Sequence, residues 1–145
     1  MKKFRFPLSR VMDWRRAQAR IEELKLERLY GEVHGIEGRA AELNEERAAS
    51  EKALIAAAAA TGEEMAALGA FQRFAIADQR RLAAKRAECV ERIAKQILAV
   101  TAKRRDVRLI EKLKETRLET WTKDLSREID AQAEEAYLAT WNRRG

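Results

Sequence analysis

The sequence predicts an all-α fold: an antiparallel two-helix coiled-coil hairpin with a longer C-terminal helix, one domain over 1–145. Three observations carry that expectation. Charged residues make up 37% of 145 positions and aromatics 6%, with 6 Gly and 1 Pro. Ala, Glu, Arg, Lys and Leu dominate, a composition of long helices rather than of a globule. β-Branched and aromatic residues are too few to fill a sheet. Apolar positions recur at coiled-coil spacing on both sides of a single helix-start signal.

The first helix is placed at about residues 8–60. Counting alternately four and three residues from Leu8 visits Met12, Arg15, Ala19, Glu22, Leu26, Leu29, Val33, Ile36, Ala40, Leu43, Arg47, Ser50, Leu54 and Ala57; eleven of these fifteen positions are apolar. That regularity is a coiled-coil seam. Gly31, Gly35 and Gly38 fall beside it, each costing about 1 kcal/mol relative to alanine. Either the helix bends there, or a partner approaches closely, or the seam carries the helix through.

The reversal is expected at about 60–69. Thr61, Gly62, Glu63 and Glu64 form a Thr-x-x-Glu capping box, the signature of a new helix, and Gly69 is a second candidate break. The second helix is placed at about 70–141. Its stripe takes Leu82, Cys89, Ile93, Ile97, Val100 and Val107, then shifts phase through Ile110 and Leu113 before resuming at Leu118, Trp121, Leu125 and Ile129. At 1.5 Å per residue this arm outruns the first, leaving roughly the last 20 residues unpaired. They contain Leu125, Ile129, Tyr137, Leu138 and Trp141, and an exposed apolar stripe marks a binding surface. Self-association, or a turn nearer Gly69, is the alternative.

The formal net charge is +6, and residues 1–20 alone supply it, with seven Lys/Arg against Asp13. Bases at a helix start oppose the macrodipole, so something other than helix stability favours them: a local acidic partner. A general nucleic-acid surface needs a wider stripe of unbalanced charge, and no nucleic acid is expected. Cys89 is the only cysteine and His34 the only histidine. That excludes an internal disulfide, a thiolate cluster and multi-histidine metal sites, and fits a reduced, cytoplasmic setting. No apolar run approaches the ~20 residues of a membrane helix. No phosphate loop, no Cys/His pair and no Ser/His register is present, and the carboxylates sit amid bases at helix-surface spacing. The chain is expected to be no enzyme and to need no cofactor.

"KKFRFPLSRVMDWRRAQARIEELKL" resembles the N-terminus of the FliJ family, cytoplasmic proteins of the bacterial flagellar type III export apparatus. Phe4, Phe6, Leu8, Val11 and Met12 occupy the positions of that family's aromatic-rich opening. "FQRFAIADQRRL", from Phe71 to Leu82, is similar to its aromatic-x-x-aromatic segment after the turn. "LIEKLKETRLETW", from Leu109 to Trp121, is similar to its "LEKLKE" segment. The likeness spans the chain, with departures: Arg127–Leu138 keeps only acidic and alanine character, and Asp78 and Arg81 lie where the family's gate-binding face is apolar or small.

The resemblance implies a stalk binding the hexameric export ATPase, the cytoplasmic domain of the export gate and export chaperones. It also implies a location in the cytoplasm, peripheral at the inner membrane. The open end of the hairpin is the expected ATPase site, with Phe4, Phe6, Leu8, Arg10, Val11, Arg15, Arg16, Leu125, Ile129 and Trp141. Phe71, Phe74 and Ala75 near the turn are the expected gate site. A monomer, or weak self-association, is expected. The alternatives are the equivalent stalk of a virulence-type secretion system, a basic-ended coiled coil binding nucleic acid or anionic membrane, and a structural spacer.

Overall fold

The computed structural model describes residues 2–57 and 59–145; Met1 and Ala58, the latter inside the alanine run Ala53–Ala60, lie outside it. It is all-helical, with two helices packed against each other as a hairpin: α1 at Ser9–Ala56 and α2 at Gly62–Arg144. Among the described residues no strand occurs, and no helix is long and apolar enough to cross a membrane. By its internal contacts the chain divides into two compact units, Ile21–Val100 and a unit formed by Met1–Arg20 with Thr101–Gly145. We call the second the terminal unit and the first the hairpin unit.

The connection is shorter than the sequence predicts. The Glu64 N–H donates to Thr61 Oγ1 (3.2 Å) and the Thr61 N–H donates back to the Glu64 carboxylate (3.3 Å). This reciprocal cap satisfies two orphan amides and starts α2 at Gly62, not near residue 70. Gly69 lies inside the helix, because a satisfied cap outweighs the ~1 kcal/mol that an interior glycine costs. α1 correspondingly stops at Ala56, and α2 runs on to Arg144 rather than 141. The ends of α2 suit its macrodipole, with Glu63 and Glu64 in the first turn and Arg143 and Arg144 in the last; α1 has neither acid at its start nor base at its end.

In the hairpin unit the α1 seam follows its predicted count. Every counted position from Glu22 to Leu54 is buried or half-buried, the polar ones included. Val33 packs with Cys89 and Ile93, and Leu26, Leu29 and Ile36 close over them. Polar residues fix the register. Gln96 donates to the Glu22 carbonyl (2.9 Å) and to its carboxylate, and Gln79 donates to Ala40 O and Asn44 Oδ1. Such groups are satisfied in one alignment only, which specifies register better than apolar contacts do. Gln96 takes the seam position expected for Ile97, which is exposed.

The terminal unit keeps a phase shift but carries it on other residues than expected. Half-buried positions at Lys103, Val107, Ile110, Lys114 and Trp121 keep one heptad count, half-buried Leu125 falls one residue beyond it, and Leu118, between Lys114 and Trp121, is exposed. Leu113 and Ile129 lie off that count and are exposed too. Lysine stems serve as seam residues because their methylenes bury while the ammonium reaches water. A slip of the same kind occurs between Leu82 and Ile93 in the hairpin unit; in both places one extra residue takes up the ~20° per heptad by which a straight helix drifts.

Gly31, Gly35 and Gly38 sit in unbroken α1, and a Cβ added at any of them meets nothing within 4 Å. Neither a bend nor a close approach within the chain requires them. Changing all three to alanine is expected to stabilise α1 by about 0.5–1 kcal/mol each, read as a raised melting midpoint. A fall would show that these positions serve a conformation other than this one.

Candidate partner-binding sites

In the terminal unit the segment before α1 folds onto α2. Pro7 has no N–H to give and ends the extended stretch. The Ser9 N–H then donates to Phe6 O (3.2 Å) and the Met12 N–H to Leu8 O (2.9 Å), opening the helix. Phe4 lies against Trp121, ring centroids 5.9 Å apart and tilted by 56°, and Trp121 Nε1 donates to the Lys2 carbonyl (3.2 Å). Phe6 is buried, as are Met12 and Ala19. Between Lys2, Lys3, Phe4, Arg5 and Trp121 remains a cleft of about 760 Å³.

The expected ATPase-site residues therefore divide. Phe6 is spent on packing, and Phe4 and Leu8 are half-buried. Arg15 pairs with Asp106 (3.0 Å) and Arg16 with Glu111 (3.0 Å), so both hold α1 to α2. Arg10, Val11, Ile129 and Trp141 are exposed, Trp141 at 66%, and Leu125 is half-buried. Two residues outside the expected set lie among them in the same unit: Trp121, the platform for Phe4, and Trp14, which is 55% exposed with the Arg15 guanidinium 5.5 Å from its ring centre. Trp14 was visible as a bulky residue off the seam count. The Trp121–Phe4 contact was not, because it joins residues more than a hundred positions apart.

Folding also changes the electrostatic reading. Residues 103–117 of α2 add seven Lys/Arg to the seven of residues 2–20, so these stretches hold fourteen bases against four acids. The terminal unit as a whole has 18 Lys/Arg against 10 Asp/Glu, net +8, while the hairpin unit has 12 against 14. Lys2, Lys3, Arg5 and Arg10 form no ion pair with the described residues. Residues 118–142 reverse the sign, with six acids against two bases. Linear counting missed this because the second basic stretch is diluted in the balanced remainder of the chain.

The expected gate residues lie in the hairpin unit. Phe74 is 55% exposed, Phe71 is half-buried, and Ala75 is fully buried, so a partner does not reach Ala75 in this conformation. Phe71 lines a groove of about 510 Å³ with Ser50, Ala53, Leu54, Leu68 and neighbouring residues, left open because alanines fill the seam thinly. Asp78 is buried with its carboxylate on Arg81 (2.7 Å). Among the described residues no group of three His, Cys, Asp or Glu side chains is placed to hold a metal ion.

The fold and these surfaces define a class, a two-helix hairpin with a basic, aromatic terminal unit. No family model, curated protein or solved structure matches the chain.

Proposed function

We propose that the chain is a stalk of the bacterial flagellar type III export apparatus, a non-enzymatic coiled coil. Its terminal unit binds the hexameric export ATPase, and its hairpin unit meets the export gate and chaperones. The sequence resemblance to the FliJ family supplies the identity of the partners. The observation that carries the reading is the terminal unit: unpaired cations, a cleft beside Phe4 and Trp121, and the exposed Trp14, Ile129 and Trp141 gather in one unit. Aromatic residues and arginine dominate interface energies. Phe74 and the groove at Phe71 support a second contact in the hairpin unit.

The test is copurification with a flagellar export ATPase hexamer and measurement of ATP hydrolysis. Full-length chain is expected to bind and stimulate. A variant ending at Leu125 is expected to lose most of the stimulation while the remaining helix keeps its circular dichroism per residue. Normal binding by that variant sinks the assignment of the C-terminal part of α2. No binding by the full chain, with binding to a virulence-type ATPase instead, transfers the stalk to that system. The fourteen-to-four basic stretch favours one other reading, an anionic polymer or membrane ligand. Binding to nucleic acid or anionic vesicles that falls steeply with salt would support it.

A further inference from the structure

We propose that the back of α2 is a self-complementary docking face, and that its occupant is a second copy of this chain, antiparallel, about a two-fold axis at Lys123. The exposed positions Arg105, Leu109, Lys112, Thr116, Glu119 and Lys123 continue through Arg127, Asp130, Glu134, Tyr137 and Trp141. At 100° per residue all of them fall within about 40° of one line. That line is opposite the seam of the terminal unit at Val107, Lys114 and Trp121, so α1 leaves it open. The steps run four, three, four, three, four from Arg105 to Lys123 and repeat in the same order to Trp141. The pattern is the same read from either end.

Two-fold pairing about Lys123 sets Arg105 opposite Trp141, Leu109 opposite Tyr137, Lys112 opposite Glu134 and Glu119 opposite Arg127. These four pairs are complementary: a cation on an aromatic face, an apolar contact, and two ion pairs of opposite order. Thr116 meets Asp130, and Lys123 on Lys123 at the axis is the one like-charge contact, with both ammonium groups free to reach water. Beside Leu109 lies a cavity of about 320 Å³, bordered by Arg105, Arg108 and Glu115, where the partner's ring would seat. Arg105, Lys112, Glu119 and Glu134 have no ion pair with the described residues of their own chain, and Arg127 has only Asp124 at 3.7 Å. A parallel arrangement would set Lys112 on Lys112 and Glu134 on Glu134, and like charges in register are repulsive. An isologous contact needs one patch that carries both halves of the match, and the sign reversal from residues 103–117 to 118–142 provides it. The contact gives the expected alternative to a monomer, weak self-association, a defined surface.

The experiment uses the full chain alone, so its outcome is separate from that of the ATPase assay. Sedimentation velocity is expected to show a concentration-dependent dimer that weakens with salt. K112E and E134K are each expected to weaken it by about tenfold or more, with unchanged helicity, because each places like charges opposite twice. An equimolar mixture of the two is expected to restore association. In the mixed dimer both contacts set an acid of the first variant against a lysine of the second. In a Cys89→Ser background, Lys123→Cys is expected to give a disulfide-linked dimer on mild oxidation. Lys112→Cys is not, because its two copies stand about 33 Å apart. A chain that stays monomeric up to its solubility limit overturns the proposal, as do single variants that associate like the parent. Failure of the mixture, or cross-linking at both cysteine positions, overturns the antiparallel register.

Discussion

Replacing Leu43 by alanine is expected to lower stability by about 2–5 kcal/mol, the range for deleting a buried leucine side chain. For a domain of this size that is a fall in melting midpoint on the order of 10 °C. Leu43 is the largest fully buried side chain, at 0% exposure. Two helices alone cover each seam residue from one direction, and most seam positions stay half-buried. Few positions thus carry the full transfer energy, and those that do matter more. Around Leu43 the neighbours cannot close a cavity easily. Gln79 is held by Ala40 and Asn44, and Arg47, one turn on, already buries an Nε without a partner. Leu98→Ala is the control, since Leu98 is 71% exposed and surface changes stay within about 0.5 kcal/mol. Equal melting of the two variants would show that Leu43 is no keystone.

The second large effect is expected from reversing Lys2, Lys3, Arg5 and Arg10 to glutamate together. These four cations are unpaired, and their reversal takes the terminal unit from net +8 to neutral. Loss of complementary charge at an interface of this kind is worth about 3 kcal/mol, roughly a hundredfold in affinity for the ATPase. The fold should tolerate the change. An acid at Arg10 lies in the first turn of α1, where negative charge suits the macrodipole. Arg15 and Arg16 are poorer choices, because glutamates there would face Asp106 and Glu111 and disrupt the packing of α1 on α2. Retained helicity with lost binding is the expected result. Undiminished ATPase binding by the fourfold variant would remove the cations from the site.

Much of the candidate site was legible, but as a set of residue types rather than as a surface. Phe4 and Phe6 announced themselves as aromatics ahead of a basic helix, yet folding uses Phe6 for packing and rests Phe4 on Trp121. Arg15 and Arg16 looked like free charge because their acids lie 91 and 95 residues away. Ala75 and Phe74 are adjacent in sequence and opposite in accessibility.

By itself the sequence determined the helices, the α1 seam and the capping box that starts α2, although the expected start near residue 70 was eight residues too late. These follow from local physics: a 3.5-residue apolar repeat has one buried side, and a capping box satisfies its own amides wherever it stands. Only the tertiary structure decided which polar residues enter the α2 seam. Gln96 displaces Ile97 and Lys114 displaces Leu113 because position opposite α1, not hydrophobicity, selects what is covered. The tertiary structure also decided the charge of the terminal unit. Basic stretches far apart in the chain add up only when an antiparallel return lays them side by side, since electrostatic fields sum over space and not over sequence.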